Sequence, residues 1–235
     1  MSTLTFNGTD LADFGVHISG EGTYNAPARA VEEQIVPGRN GTLIIDGGRF
    51  ENITVTYPAY ITDDFDANMA ALRSFLTSVR GYARLEDTYH PNEFRMANFS
   101  NGITVETSGR YNAQGKFDLA FNCKPQRFLV SGETAIELTS ADTIENPTEF
   151  DAKPIIRIYG TGTVGVGSVN VTFDGSTAYV DLDCEIQDAY YGVSNKNSSI
   201  TLSPNRFPTL PAGDTGITLG TGITQVDITP RWFEI

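Results

Sequence analysis

Of the residue types that carry most enzyme chemistry, the chain holds two histidines, His17 and His90, and two cysteines, Cys123 and Cys184. All four lie far apart in sequence, and none shows the short paired spacing of a structural zinc site. Each cysteine sits in an apolar or alternating, strand-like context. Both are read as free thiols, with a single bridge between them as the alternative. Neither histidine has a sequence context that fixes a partner, so no Ser-His-Asp or Cys-His arrangement can be nominated. Asp181, Asp183 and Glu185 alternate along one strand-like segment. Alternation puts three acids on one sheet face, which suits a solvated face or an ion site, calcium included, better than a glycosidase acid and nucleophile.

Two glycine-rich stretches imitate nucleotide-binding loops. Gly160-Thr161-Gly162-Thr163-Val164-Gly165 matches the dinucleotide fingerprint in letters. That motif works only where a helix follows and its N-terminal amides hold the pyrophosphate. Here Val166 to Phe173 read as another strand, so a glycine-rich hairpin is expected. Pro37-Gly38-Arg39-Asn40-Gly41-Thr42 lacks the Gly-Lys-Ser/Thr ending of a phosphate loop and reads as a turn joining two strands. Asn-X-Ser/Thr sequons at Asn7, Asn40, Asn52, Asn98, Asn170 and Asn197 are a by-product of an Asn-, Ser- and Thr-rich chain. The residues thus nominate no catalytic group, no cofactor and no metal ligand.

The elements that must position these residues are mostly strands. In 235 residues, 40% are hydrophobic and 19% charged, enough for a packed core and against global disorder. A net charge of −13 argues against a dedicated nucleic-acid binder, which needs clustered Lys and Arg. No apolar run approaches the ~20 residues that span a bilayer. Ser2-Thr3-Leu4-Thr5-Phe6 has neither the basic nor the apolar region of a signal peptide, so synthesis and folding in a cytoplasm are expected. One segment reads as helix. Asp63 and Asp64 offer an N-cap and first-turn acids, Met69, Leu72, Phe75, Leu76 and Val79 follow at three- and four-residue spacing, and Gly81 offers a stop. Strands are expected at Ile53–Tyr57, Ile103–Val105, Phe117–Phe121, Ile155–Tyr159, Val169–Phe173 and Tyr179–Leu182. Pro58 should confine the first to a strand end or an edge. Asn40-Gly41, Asp46-Gly47-Gly48, Asn101-Gly102 and Asp174-Gly175 mark turns.

From Gly160 onward no helical period occurs, the pattern of an antiparallel β-sandwich. The fold class expected is mainly β with one prominent helix. A boundary is expected between Phe128 and Pro154, giving domains 1–132 and 133–235. Charge divides unevenly between them, −4 in the first and −9 in the second.

Several stretches resemble the distal tail protein family of long, flexible-tailed bacteriophages (siphoviruses). They are Leu72-Arg73-Ser74-Phe75-Leu76, then Gly81, then Arg84-Leu85-Glu86-Asp87-Thr88-Tyr89-His90-Pro91 and Arg95. The early Pro37-Gly38-Arg39-Asn40-Gly41 turn, Cys123-Lys124-Pro125-Gln126-Arg127-Phe128 and the ending Ile228-Thr229-Pro230-Arg231-Trp232 look like the same family. Asn205-Arg206-Phe207-Pro208-Thr209-Leu210-Pro211-Ala212-Gly213 fits its late F-P-x-L-x-x-G turn, with Asp214 where Asn is expected.

The resemblance implies a structural hub, not an enzyme, located in the virion at the tail tip or baseplate. It implies a homo-hexameric ring built by the N-terminal domain, with a β-sandwich like that of galectins or carbohydrate-binding modules projecting outward. Such a ring joins the tail tube protein above to the tail-associated fibre or hydrolase protein below, anchors receptor-binding proteins and lets DNA pass. An acidic wall would repel that DNA, although solubility of an exposed domain explains the acidity equally simply. On the residues themselves, the turn Arg39, Asn40, Gly41 and the strand Ile53, Val55, Tyr57 are candidates for the ring interface. The alternative function is a host-surface carbohydrate-binding module used in adsorption. For it Tyr159, Tyr179, Tyr190 and Tyr191 are stacking candidates, while Trp232 is expected to be buried.

Overall fold

The computed structural model describes residues 2–20, 22, 24–108 and 114–235. Its chain divides into two compact units, Met1–Arg127 with Ile235, and Phe128–Glu234. Strands of the first unit are β1 (Leu4–Phe6), β2 (Thr9–Asp10), β3 (Val16–Ile18), β4 (Arg29–Ile35), β5 (Thr42–Phe50), β6 (Ile53–Ile61), β7 (Ala83–Asp87), β8 (Glu93–Asn98), β9 (Val105–Ser108) and β10 (Gln114–Leu129), whose last two residues belong to the second unit. The helix α1 spans Phe65–Ser78. One sheet runs in the order β2-β1-β7-β8-β10-β6-β3, with β9 also on β10, while β4 and β5 form a separate two-stranded sheet.

Period-two alternation explains the first core. Val55, Tyr57, Ala59 and Ile61 of β6 are buried beside Phe117, Leu119, Phe121 and Cys123 of β10, and Thr54, Thr56, Lys116 and Asp118 face out. Phe65, Met69, Leu72 and Leu76 of α1 close that core at the spacing read from the sequence. Approach is tightest at Gly115, where a Cβ would overlap the Phe65 ring, so no other residue fits there without displacing the helix.

Two local expectations need correction. Neither Asp63 nor Asp64 caps α1 with its side chain. Asp64 takes the left-handed conformation (φ 46°), and the Asn68 amide donates back to Asp63 O at 2.9 Å. Nor does Pro58 end its strand, because β6 continues to Ile61. Pro58 O accepts from Ser19 N just past the end of β3, and a strand residue's N and O point to the same side. The missing N–H of Pro58 therefore falls where β3 has already stopped.

The second unit contains β11 (Ile136–Leu138), β12 (Asp142–Asn146), β13 (Ile155–Gly160), β14 (Gly162–Val166), β15 (Val169–Phe173), β16 (Tyr179–Asp183), β17 (Asp188–Tyr191), β18 (Ser194–Asn195), β19 (Ile200–Ser203), β20 (Gly213–Leu219), β21 (Ile223–Thr229) and β22 (Phe233–Glu234). Its sheets run β11-β21-β13-β16-β17-β18 and β12-β20-β14-β15-β19. Ile156, Ile158, Val180, Leu182, Val226 and Ile228 from one meet Val164, Val166, Val171, Phe173 and Ile217 from the other in a single core that also takes Trp232. The imitation of a dinucleotide loop at Gly160–Gly165 is β13 turning directly into β14, with no helix after it. Ser131-Gly132-Glu133 lies in a 3-10 turn of this unit, and Gly132 O accepts from Arg231 N at 2.8 Å. The polar stretch after it supplies β11 and β12. No helix is long and apolar enough to cross a membrane among the described residues.

Leu72 is fully buried between α1 and the sheet. Leu72→Ala is expected to cost about 2–5 kcal/mol of unfolding free energy, measured by urea denaturation followed by circular dichroism. A cost below about 0.5 kcal/mol would show that α1 is not packed as described.

Candidate functional site

The ring-interface candidates fall in two separate sheets. Arg39, Asn40 and Gly41 form the exposed turn between β4 and β5, where Gly38 and Gly41 supply the positive φ. Ile53, Val55 and Tyr57 lie on β6. Val55 and Tyr57 are buried in their own core and Ile53 is half-buried, so these side chains are not offered to a partner. What β6 does offer is backbone, since β3 pairs only with Ala59, Tyr60 and Ile61 and leaves the Ile53–Tyr57 edge without a neighbouring strand among the described residues.

Residues outside the candidate set dominate the hairpin surface. Register pairing puts Val31, Ile35 and Ile44 with Glu33 on one face, and Leu43 and Ile45 with Glu32 on the other. Ile35 is 81% exposed and Ile44 62%. The base is fixed by Arg29, which contacts Asp46 at 2.8 Å and lies 4.7 Å from the centre of the Phe50 ring. Asp46 also accepts from Gly48 N, and that bond, with Arg29, holds its carboxyl below the usual range. The signal for this surface was present in Leu43-Ile44-Ile45, three consecutive aliphatic residues beside a turn, because an alternating strand buried on one face has no use for such a run.

His90, one of the two histidines, is tied into a structural network. Asp87 accepts from Tyr89 N at 3.0 Å, from His90 N at 2.9 Å and from Tyr57 Oη at 2.7 Å, and lies 3.0 Å from His90 Nδ1. Burial, then the neighbouring Asp87 charge, pushes the Tyr57 hydroxyl up, so it acts here as a neutral donor. The adjoining cavity, of about 20 Å³, has room for little more than one water molecule. The group can hold the β7–β8 turn against the core, but it presents no nucleophile.

In the second unit three of the four stacking candidates come together. Ring centres of Tyr159 and Tyr179 lie 5.8 Å apart, and those of Tyr179 and Tyr191 lie 4.7 Å apart. Interplanar angles of 52° and 59° keep them from forming a flat platform, and Arg157 stands 4.3 Å over the Tyr179 ring. Tyr190 pairs with Asp181 across β16 and β17, and burial, then the charges of Asp181 and Asp183, raises its hydroxyl pKa. The alternating acids that suggested an ion site are already satisfied. Arg157 binds Asp181 with both prongs at 2.6 and 2.9 Å, Arg231 binds Asp183 at 2.8 and 2.9 Å, and Lys153 reaches Glu185 at 3.2 Å. Among the described residues no His, Cys, Asp and Glu side chains cluster as three or more potential metal ligands. Cys123 and Cys184 are free and buried, and burial pushes their thiols up to about 11 and about 12, away from nucleophilic use.

The architecture, two β-rich units with one α-helix among the described residues, is shared with hub proteins of phage adsorption devices. The crystal structure of SPP1 Dit (gp 19.1), described as a paradigm of the hub adsorption apparatus in phages infecting Gram-positive bacteria, aligns over 100% of both chains with a TM-score of 0.74 at 14% identity. Baseplate chains of phage p2 in its activated conformation, with strontium and with calcium, align over 97% of each chain, both with a TM-score of 0.51, at 9% and 10% identity. At such identities the likeness establishes the fold. It agrees with the phage-tail resemblance carried by the sequence motifs. No family model matches the sequence, and no curated protein does.

Asp183 supplies a pH test. Burial by itself raises its carboxyl, but the Arg231 prongs and the amides of Glu185 and Ile186 outweigh burial and hold it below 3.8. A carboxyl depressed on folding contributes stability above its unfolded value and loses it as pH falls through the folded one. Asp183→Asn is therefore expected to cost about 1.5–3 kcal/mol at neutral pH. Its difference from the parent should shrink once pH drops below 3.8, read from the fluorescence of the sole tryptophan, Trp232, beside Arg231. A difference that stays constant into strong acid would remove the ion pair from the account.

Proposed function

We propose that this chain is a distal tail protein: a structural hub in the virion, at the tail tip or baseplate of a long, flexible-tailed phage, assembled in the host cytoplasm. The observation that carries the reading is the alignment with SPP1 Dit over the full length of both chains, so that both units, and not one common β module, correspond. In this reading the first unit of six copies closes a ring, the second unit projects as a galectin- or carbohydrate-binding-module-like sandwich, and the ring joins tube protein to fibre or hydrolase protein. Receptor-binding proteins would attach at its rim. The role is mechanical, without catalysis.

The hairpin β4–β5 supports self-association. A two-stranded hairpin is marginal in water on its own. This one exposes aliphatic side chains on both faces, and a second copy of the chain is the occupant that a closed ring supplies. The unpaired Ile53–Tyr57 edge offers a second, backbone-mediated contact.

Purified full-length protein should form a six-fold ring in electron micrographs and the matching mass in light scattering. The double variant Ile35→Asp/Ile44→Asp should reduce it to smaller species with little change in melting temperature, because these side chains contribute nothing to the core of the isolated chain. A strict monomer at high concentration, with no ring visible in the virion, would overturn the reading. Lumen electrostatics is a separate question within it. If acids of residues 1–132 line the channel, neutralising them should slow DNA ejection; unchanged ejection would leave solubility as their role.

A further inference from the structure

The second unit contains a cleft that none of the surfaces above explains. It encloses about 480 Å³ between the β14–β15 turn at Gly167-Ser168, the segment from Arg206 to Pro211, and the start of β20 at Asp214-Thr215. That volume is in the range of small-molecule sites. Its walls are held by more than side-chain contacts. Ala152 and Leu210 exchange two backbone hydrogen bonds of 2.9 Å, and the buried Asn146 amide donates to Leu210 O at 2.8 Å and to Phe150 O at 2.9 Å. Across the cleft Gly167 N donates to Gly216 O at 2.9 Å. The walls are thus fixed before any ligand arrives, which lowers the ordering cost of binding.

The lining holds one group that the fold leaves unsatisfied. Thr215 is 3% exposed, and its hydroxyl has no hydrogen-bond partner. An unpaired buried hydroxyl costs about 1–3 kcal/mol, and a valine of the same shape would avoid that cost. Beside it Gly216 adds no bulk: a Cβ there would meet no atom within 4 Å.

We infer that this cleft binds a neutral sugar unit. Asp151 and Asp214 accept from hydroxyls, Arg206, whose Nη2 lies 2.8 Å from Ser168 Oγ, donates to them, and Phe207 and Pro211 supply apolar surface for the C–H face of a pyranose. Two carboxylates against one guanidinium disfavour phosphate and other anions. The site is distinct from the tyrosine cluster of β13, β16 and β17, and it does not depend on the hub reading. A monomer that binds sugar would end the hub reading and keep this one, and a ring that binds none would do the reverse.

Saturation-transfer NMR and calorimetry on the full-length protein, with the methyl glycosides of glucose, galactose and N-acetylglucosamine, test it. Inorganic phosphate serves as the anionic probe. The expected result is saturable millimolar binding of at least one glycoside, at least about tenfold weaker in Thr215→Val. Binding should be lost when Gly216→Leu fills the cleft and unchanged in Tyr179→Ala. Thr215→Val should melt no lower than the parent; a clear drop would mean that the fold itself uses the hydroxyl and would overturn the inference. It would also fail if no glycoside saturates, if phosphate binds in preference, or if Tyr179→Ala abolishes binding while Thr215→Val does not.

Discussion

The ladder between β6 and β10 is the constraint on which the first unit depends. Nine residue pairs, from Gly115 opposite Ile61 to Cys123 opposite Ile53, run without a register break. A slip of one residue would turn Val55, Tyr57, Phe117, Leu119 and Phe121 outward together, because side chains alternate with period two. The Phe65 ring over Gly115 pins that register from the helix side. The ladder also sets what lies outside the core. β5 ends at Phe50 and β6 begins at Ile53, so the exposed hairpin springs from the most firmly paired strand of the unit. An arm that must carry load between copies needs such a root.

The hairpin itself is the place where the isolated chain is energetically incomplete. Its strands hold each other through six register pairs and the Arg29–Asp46 contact at the base, but its aliphatic side chains stay in water. Exposed single hydrophobics are ordinary on a protein surface; Val31, Ile35 and Ile44 together on one face are not. Glu32 and Glu33 keep the arm from being merely sticky, since a wrong partner would have to desolvate them. The same elements that leave the monomer incomplete thus select the surface that completes it.

The legible parts of the fold were those governed by local periodicity. Met69, Leu72 and Leu76 marked α1, and alternation marked β13, β15 and β16. What escaped depended on pairing geometry. The tolerance of Pro58 follows from where β3 stops, which no local pattern records. Alternation correctly put Asp181 and Asp183 on one sheet face, but their satisfaction comes from Arg157 on β13 and from Arg231, 48 positions away in sequence. The tyrosines were visible as residue types; that Arg157 would cover one face of Tyr179 was not. The unpaired hydroxyl of Thr215 was invisible for the same reason, since a threonine in a strand normally needs no comment.

Those ion pairs also decide what the second half of the chain shows to a partner. Residues 133–235 hold five cations, and Arg157, Arg231 and Lys153 stand against Asp181, Asp183 and Glu185. The excess of nine acids is therefore carried by a surface with few cations to offset it. Such a field repels nucleic acid, phosphate-rich polymers and other acidic surfaces, and it falls off over roughly 8 Å at physiological salt. A neutral ligand feels almost none of it at distance and meets hydrogen-bonding groups only on contact. The charge that argues against nucleic acid as a partner thus also narrows the ligand chemistry that this half of the chain can support.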